Sequence, residues 1–242
     1  MKKIFVLAVV LLSVFLIYLT TLDKKVYYLA LGDSLALGMT PYNNYDYGYT
    51  DYIKDYLSQK KVLEKYINNF AKSSYRTTDL IRAINDNEKV LIDGKKVTIK
   101  HALIKADLVT ISVGMNDFIN KNSLLSLLEE NDITIFKYVD EIMVDVEELF
   151  KIIRKYCKED VVMVGYYSPI ADNEKVNKFF SYVNSKYDYL SSKYNIKYVD
   201  IYNQFKNSND YLIDNYNVYP NKKGYKKIAD VIIGILDESL FK

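Results

Sequence analysis

From residue 26 onward the chain alternates between two kinds of hydrophobic pattern. Short continuous apolar runs give way to stretches whose apolar positions recur every three or four residues. The first kind predicts buried strands and the second predicts helices. Val26–Leu31 is a short apolar strand, and Thr50–Gln59 follows with Tyr52, Ile53, Tyr56 and Leu57 at helical spacing. Tyr66–Ala71 predicts a second strand. Thr77–Ile84 predicts a helix, with Thr77 or Thr78 as its cap. The polar stretch Asn85–Lys96 contains Asp93–Gly94, a turn signal that fits a small hairpin. Ile99–Ala106 predicts a short helix. Asp107–Val113 is rich in β-branched residues, stops at Gly114 and is the clearest strand. Ser123–Tyr156 is mostly helical, with a break near Asn131–Asp132. Val161–Tyr166 is a strand that ends ahead of Ser168–Pro169. Glu174–Tyr194 is a long amphipathic helix, Lys197–Ile201 a last short strand and Lys222–Leu240 a closing helix. Ile228, Ala229, Ile232, Ile233, Ile235 and Leu236 form the apolar stripe of that helix.

Strands alternating with helices imply an α/β fold with a parallel sheet covered on both faces. The five strands fit a doubly wound, three-layer α/β/α sheet of flavodoxin-like order. Sites in such sheets lie beyond the carboxyl ends of the strands. The full length of 242 residues suits one such domain, expected over residues 26–242.

Residues Ile4 to Leu22 carry no charge and follow Met1–Lys2–Lys3. As a helix they would span about 28 Å, close to the hydrocarbon thickness of a bilayer. Residues 1–25 are therefore expected to form a signal anchor, a transmembrane helix with a short linker. A cleaved signal peptide, giving a secreted protein, is the competing reading. It needs a small-x-small site, which Tyr18–Leu22 supplies poorly. Lys2 and Lys3 point to a cytoplasmic start and hence an extracytoplasmic domain at the cell membrane. Only Asp23–Lys25 separates the anchor from the first strand, so that strand's far end would lie about 20 Å from the bilayer.

Composition changes little. The net charge of +2 offers no basic surface for nucleic acid. The single cysteine, Cys157, excludes an internal disulfide and is expected to pack near a helix end. No cofactor motif or metal cluster is visible, and no Gly-rich phosphate loop follows the first strand.

Four candidate elements carry chemistry. Gly32–Asp33–Ser34–Leu35 ends the first strand and delivers a serine into a tight turn. Ser73–Ser74 follow the second strand, and Gly114–Met115–Asn116–Asp117 follow the third. Tyr219–Pro220–Asn221–Lys222–Lys223–Gly224–Tyr225 precedes the last helix. These blocks, in this order, resemble the SGNH/GDSL hydrolase superfamily of serine esterases and lipases, over essentially all of Val26–Lys242. The resemblance implies that Ser34 attacks an ester carbonyl. It also implies an oxyanion hole made by the backbone N–H of Ser34, the backbone N–H of Ser74 and the Asn116 side chain. Ser74 stands where the family has glycine, so a left-handed backbone there would be strained.

The last block departs from the family. Its frame is fixed by Pro220-Asn221-x-x-Gly224-Tyr225, which puts Tyr219 at the histidine and Tyr216 at the orienting aspartate. A phenol, ordinarily titrating near 10, is a poor general base at neutral pH. His101, the only histidine, is expected at the amino ends of the strands, opposite the site. Asp210 and Asp214 lie near the fourth block and are alternative carboxylates that could approach Ser34. Asp33 is expected to hydrogen-bond turn amides. Tyr42, Tyr45, Tyr47 and Tyr49 are candidate lining for an acyl or sugar groove. Two functions follow: an ester hydrolase acting on acyl or acetyl esters, or a non-catalytic descendant that binds an acyl chain, a cell-wall glycan or a protein partner.

Overall fold

The structure, a computed structural model, describes residues 24–121, 129–170, 173–206, 210–213, 217–236 and 240–241. The expected anchor falls on residues outside that set. Among the described residues no helix is long and apolar enough to cross a membrane.

A five-stranded sheet forms the centre. Its strands are β1 (Val26–Gly32), β2 (Leu63–Ile67), β5 (Leu108–Ser112), β6 (Asp160–Val164) and β7 (Lys197–Val199), in spatial order β2-β1-β5-β6-β7. Every pairing is parallel. Counting only these strands, the order is the flavodoxin-like one expected. All seven residues of β1 are buried. Its alternation explains why: Tyr27, Leu29 and Leu31 enter one apolar core, while Val26, Tyr28 and Ala30 enter the other. Strand β6 repeats the division, Val161 and Met163 against Val162 and Val164. Burying each such side chain contributes roughly 1.5–3 kcal/mol, so helices must cover both faces.

One face carries α2 (Thr77–Asn85), α3 (Ile99–Lys105), α5 (Asp132–Tyr156) and α6 (Glu174–Lys193). The other carries α1 (Tyr49–Gln59), α7 (Ile201–Lys206) and α8 (Lys222–Gly234). The short helix α4 (Met115–Lys121) opens directly after β5. Strands β3 (Lys89–Ile92) and β4 (Lys95–Thr98) form the expected hairpin. Asp93 and Gly94 at its tip have φ of 51° and 76°, as a two-residue turn of this hand requires. Cys157 is fully buried at the C-terminal cap of α5.

Several boundaries differ from expectation. Strand β2 is Leu63–Ile67 rather than Tyr66–Ala71. It is an edge strand with Glu64 and Lys65 on it, so its charges hide its strand character. The buried Phe70 and Ala71 lie in a turn closed by Ala71 N–H donating to Asn68 O at 2.9 Å. Ile201 opens helix α7 instead of closing a strand, and α8 ends at Gly234 rather than Leu240. Helix α4 has no counterpart among the predicted elements. Near the expected break Asn131 Oδ1 accepts from Thr134 N–H at 3.0 Å and starts α5; the expected helical stretch before it falls mostly outside the described residues.

Candidate active site

The site grows from the carboxyl ends of β1 and β5. Gly32 has φ of +146°, and a Cβ there would stand 2.3 Å from the Ser112 carbonyl oxygen. Only glycine lets the two strands approach this closely before the chain turns. Asp33 N–H then donates to Ser112 O at 3.0 Å, carrying the β1–β5 pairing one step into the loop. The next residue, Ser34, is 4 % exposed.

Asp33 is the hub of the turn. Its Oδ1 accepts from Leu35 N–H at 2.9 Å, as expected of a turn aspartate. Its Oδ2 accepts from the Asn116 side-chain amide at 3.3 Å. The same Asn116 nitrogen donates to Tyr75 O at 2.9 Å. One hydrogen of the amide is thus firmly held by the second block and the other loosely held by Asp33. Burial pushes the Asp33 carboxyl up to about 7; the Leu35 N–H bond opposes the shift and the neighbouring Asp117 carboxylate adds to it.

Asp117 has a structural task. It accepts from Thr77 N–H at 2.8 Å and Thr77 Oγ1–H at 2.9 Å, capping α2 from its place in α4. Burial raises its carboxyl, against those Thr77 bonds. Thr77 is therefore the recipient of a cap rather than the cap itself.

The fourth block closes over this floor. Asn217 Nδ2 donates to Pro41 O at 3.0 Å, and Tyr225 O–H donates to Met39 O at 2.6 Å. Tyr167 O–H reaches Val218 O from the end of β6. Between these elements lies a cavity of about 100 Å³. Asp33, Ser34, Asn116 and Tyr219 all line it, with Ser112, Tyr166 and Tyr167 alongside. The first, third and fourth blocks therefore meet at one rim of the sheet. None of the hydrogen bonds among the described residues involves Ser34 Oγ.

Other predicted residues lie elsewhere. Ser74 is exposed and outside the cavity lining; the second block reaches Asn116 through the Tyr75 carbonyl. Its φ of 60° is the left-handed conformation in which a side chain is strained. His101 is exposed on α3, ahead of β5 and away from the cavity. Asp210 is exposed, sits 3.6 Å from Lys223 and does not line the cavity. Asp214 and Tyr216 lie outside the described residues. The tyrosine groove does not form as expected: Tyr49 is fully buried and donates to Ser112 Oγ at 3.0 Å, while Tyr47 packs edge-on against Tyr52. Sequence reasoning missed Ser112, Tyr166 and Tyr167. Their signal was position alone, each standing at the carboxyl end of a strand.

The family model of the GDSL-like Lipase/Acylhydrolase family matches residues 30–227. The chain belongs to this family. It is 25% identical over 209 residues to the spore germination lipase LipC of Bacillus licheniformis, covering 84% of this chain and 92% of that one. Among solved structures, a lipase from a goat rumen metagenome superimposes with a TM-score of 0.70 at 23% identity, over 86% of this chain and 95% of that chain. The acetylxylan esterase Axe2 of Geobacillus stearothermophilus gives 0.62 at 16% identity, over 88% and 94%. These two likenesses are likenesses of fold.

Two predictions follow from the strain and the buried charge. Ser74→Gly relieves the left-handed serine and should raise unfolding stability by about 0.5–1 kcal/mol, read by denaturant titration. Asp33 has a folded pKa raised above the ordinary carboxylate value. Its contribution is therefore fully present below about pH 4 and is lost as pH rises through 7. In Asp33→Asn that loss, on the order of 4 kcal/mol, should vanish from the stability–pH curve. A variant curve parallel to the wild type between pH 4 and 8 would refute the buried-charge account.

Proposed function

We propose that this protein is a serine ester hydrolase whose nucleophile is Ser34 and whose oxyanion donors are the Ser34 N–H and the Asn116 amide; Ser74, exposed and outside the cavity, is not among them. The observation that carries the reading is the convergence of Ser34, Asn116 and Tyr219 on one cavity at the carboxyl edge of the sheet. Ser34 N–H has no backbone acceptor among the described residues, which leaves it free to donate to developing negative charge. The loosely held second hydrogen of Asn116 is the one an oxyanion would take from Asp33.

Proton transfer sets this chain apart. Tyr219 faces the cavity where the family resemblance expects histidine. Without imidazole, the Ser34 proton leaves to water or hydroxide, and the leaving group departs with little acid assistance. Such a site turns over activated esters slowly, through its oxyanion donors and binding alone. Its substrates are acyl or acetyl esters, a cell-wall glycan ester among them.

We propose further that residues 4–22 anchor the chain in the cell membrane with the domain extracytoplasmic. The uncharged run and the Lys2–Lys3 pair before it support this placement. Protease added to intact cells should then remove the domain; full protection would exclude it, and recovery from the medium would favour the secreted form.

A second reading draws on the Ser34 hydroxyl, which has no hydrogen-bond partner among the described residues. On it, the cleft binds an acyl or cell-wall glycan ligand, or a protein, without turnover. A fluorophosphonate separates the two. The hydrolase reading expects covalent labelling of Ser34, lost in Ser34→Ala. It also expects ester turnover that climbs with pH without the inflection near 6.5 of a histidine base. Tyr219→His combined with Tyr216→Asp should raise turnover by tenfold or more and introduce that inflection. A folded domain that neither labels nor turns over would leave the binding reading standing.

A further inference from the structure

We infer that the acyl half of the ligand is short and uncharged, about two to four carbons, and sits against the wall formed by Tyr166, Tyr167 and Phe180. The inference rests on the hydrolase reading for its chemistry and on the cavity itself for its size limit.

The cavity holds about 100 Å³. A dry apolar cavity of about 150 Å³ takes one benzene, so by proportion this one takes about four carbons. The ester carbonyl at Ser34 must occupy part of that room. A long acyl chain therefore cannot be swallowed; it would have to leave through the mouth.

Three side chains keep the wall from yielding. Phe180 is 1 % exposed and packs edge-on to Phe179, with ring centroids 5.1 Å apart. Tyr166 is held edge-on to Tyr187 at 5.5 Å. Tyr167 stacks on Phe205 at 4.7 Å and is tethered through its hydroxyl to Val218 O. Deepening the cavity means displacing rings that are themselves packed into the two cores, and close-packed interiors resist that.

The lining also speaks to charge. Asp33 is the one Asp, Glu, Lys or Arg among the lining residues. Among the described lining residues no cation stands ready to pair with a dicarboxylic acyl group, and an anionic chain would meet the buried Asp33 instead. The apolar walls suit a hydrocarbon stub. Ile119 and Val218, 43 % and 42 % exposed, mark the apolar mouth through which the alcohol half departs.

The test uses p-nitrophenyl alkylphosphonates that differ only in chain length: C2, C4, C8 and C12. Mass spectrometry follows their attachment to Ser34. The expected result is fastest attachment at C2 or C4 and at least a tenfold fall by C8. Rates that hold or climb through C8 and C12 would overturn the inference. A second measurement does not depend on serine chemistry. Ligand-observed NMR on Ser34→Ala should detect saturable binding of methyl butyrate, displaced by ethyl acetate in excess, and none for methyl laurate or monomethyl succinate. If every phosphonate is inert while methyl butyrate binds, the hydrolase reading fails and the short-chain cavity stands. If methyl laurate binds as well as methyl butyrate, or neither binds, the cavity inference is wrong whatever the phosphonates do.

Discussion

The close approach of β1 and β5 at their carboxyl ends is the constraint on which the site depends. Gly32 pairs with Ser112, and its missing Cβ is what allows the contact. The loop after it inherits the register through Asp33 N–H and Ser112 O. That one step fixes where Ser34 points. It also fixes where Asn116 begins its helix, since both chains leave the sheet from the same paired end. Lys72 N–H donates to Gly32 O at 3.1 Å, so the second block is tied to the same anchor point. A shift of one residue in this register would exchange the two faces of β1 and separate all three blocks.

Much of this was legible in the sequence because the sheet is buried on both faces. Buried parallel strands read as unbroken apolar runs, so β1, β5 and β6 stood out, and the punctuation after them marked the site. The edge strand β2 was misplaced for the converse reason: with one neighbour, it tolerates Glu64 and Lys65, and its pattern fades. Helix α4 is hidden in the sequence because its first residues read as the Gly114–Asp117 block, and α7 because Ile201 reads as the end of the last strand. Asn116 and Ser34 were found through motif spacing. Ser112, Tyr166 and Tyr167 were not, since a serine or tyrosine at a strand end has no local signature until the fold gathers those ends together. The Asp33–Asn116 contact is likewise a product of topology, joining residues 83 positions apart.

The architecture of the fourth block does not depend on the side chain at position 219. Asn221 Oδ1 still accepts from Gly224 N–H at 3.0 Å to begin α8, and Tyr225 and Asn217 still bind the loop that follows Ser34. These bonds hold the block down whichever side chain occupies position 219. The scaffold beneath position 219 is thus separable from the side chain it carries. A buried carboxyl beside the Asn116 amide adds a second peculiarity: neutral Asp33 competes less for that amide than a charged one.

At the pole opposite the cleft, Lys24 N–H donates to Phe241 O at 3.1 Å, just before β1 begins. Both described ends of the domain therefore leave from the same side. A tether, reporter or solid support joined at either end would hold the molecule with its opening turned outward, and two different attachments could be made there without crossing the path a ligand takes.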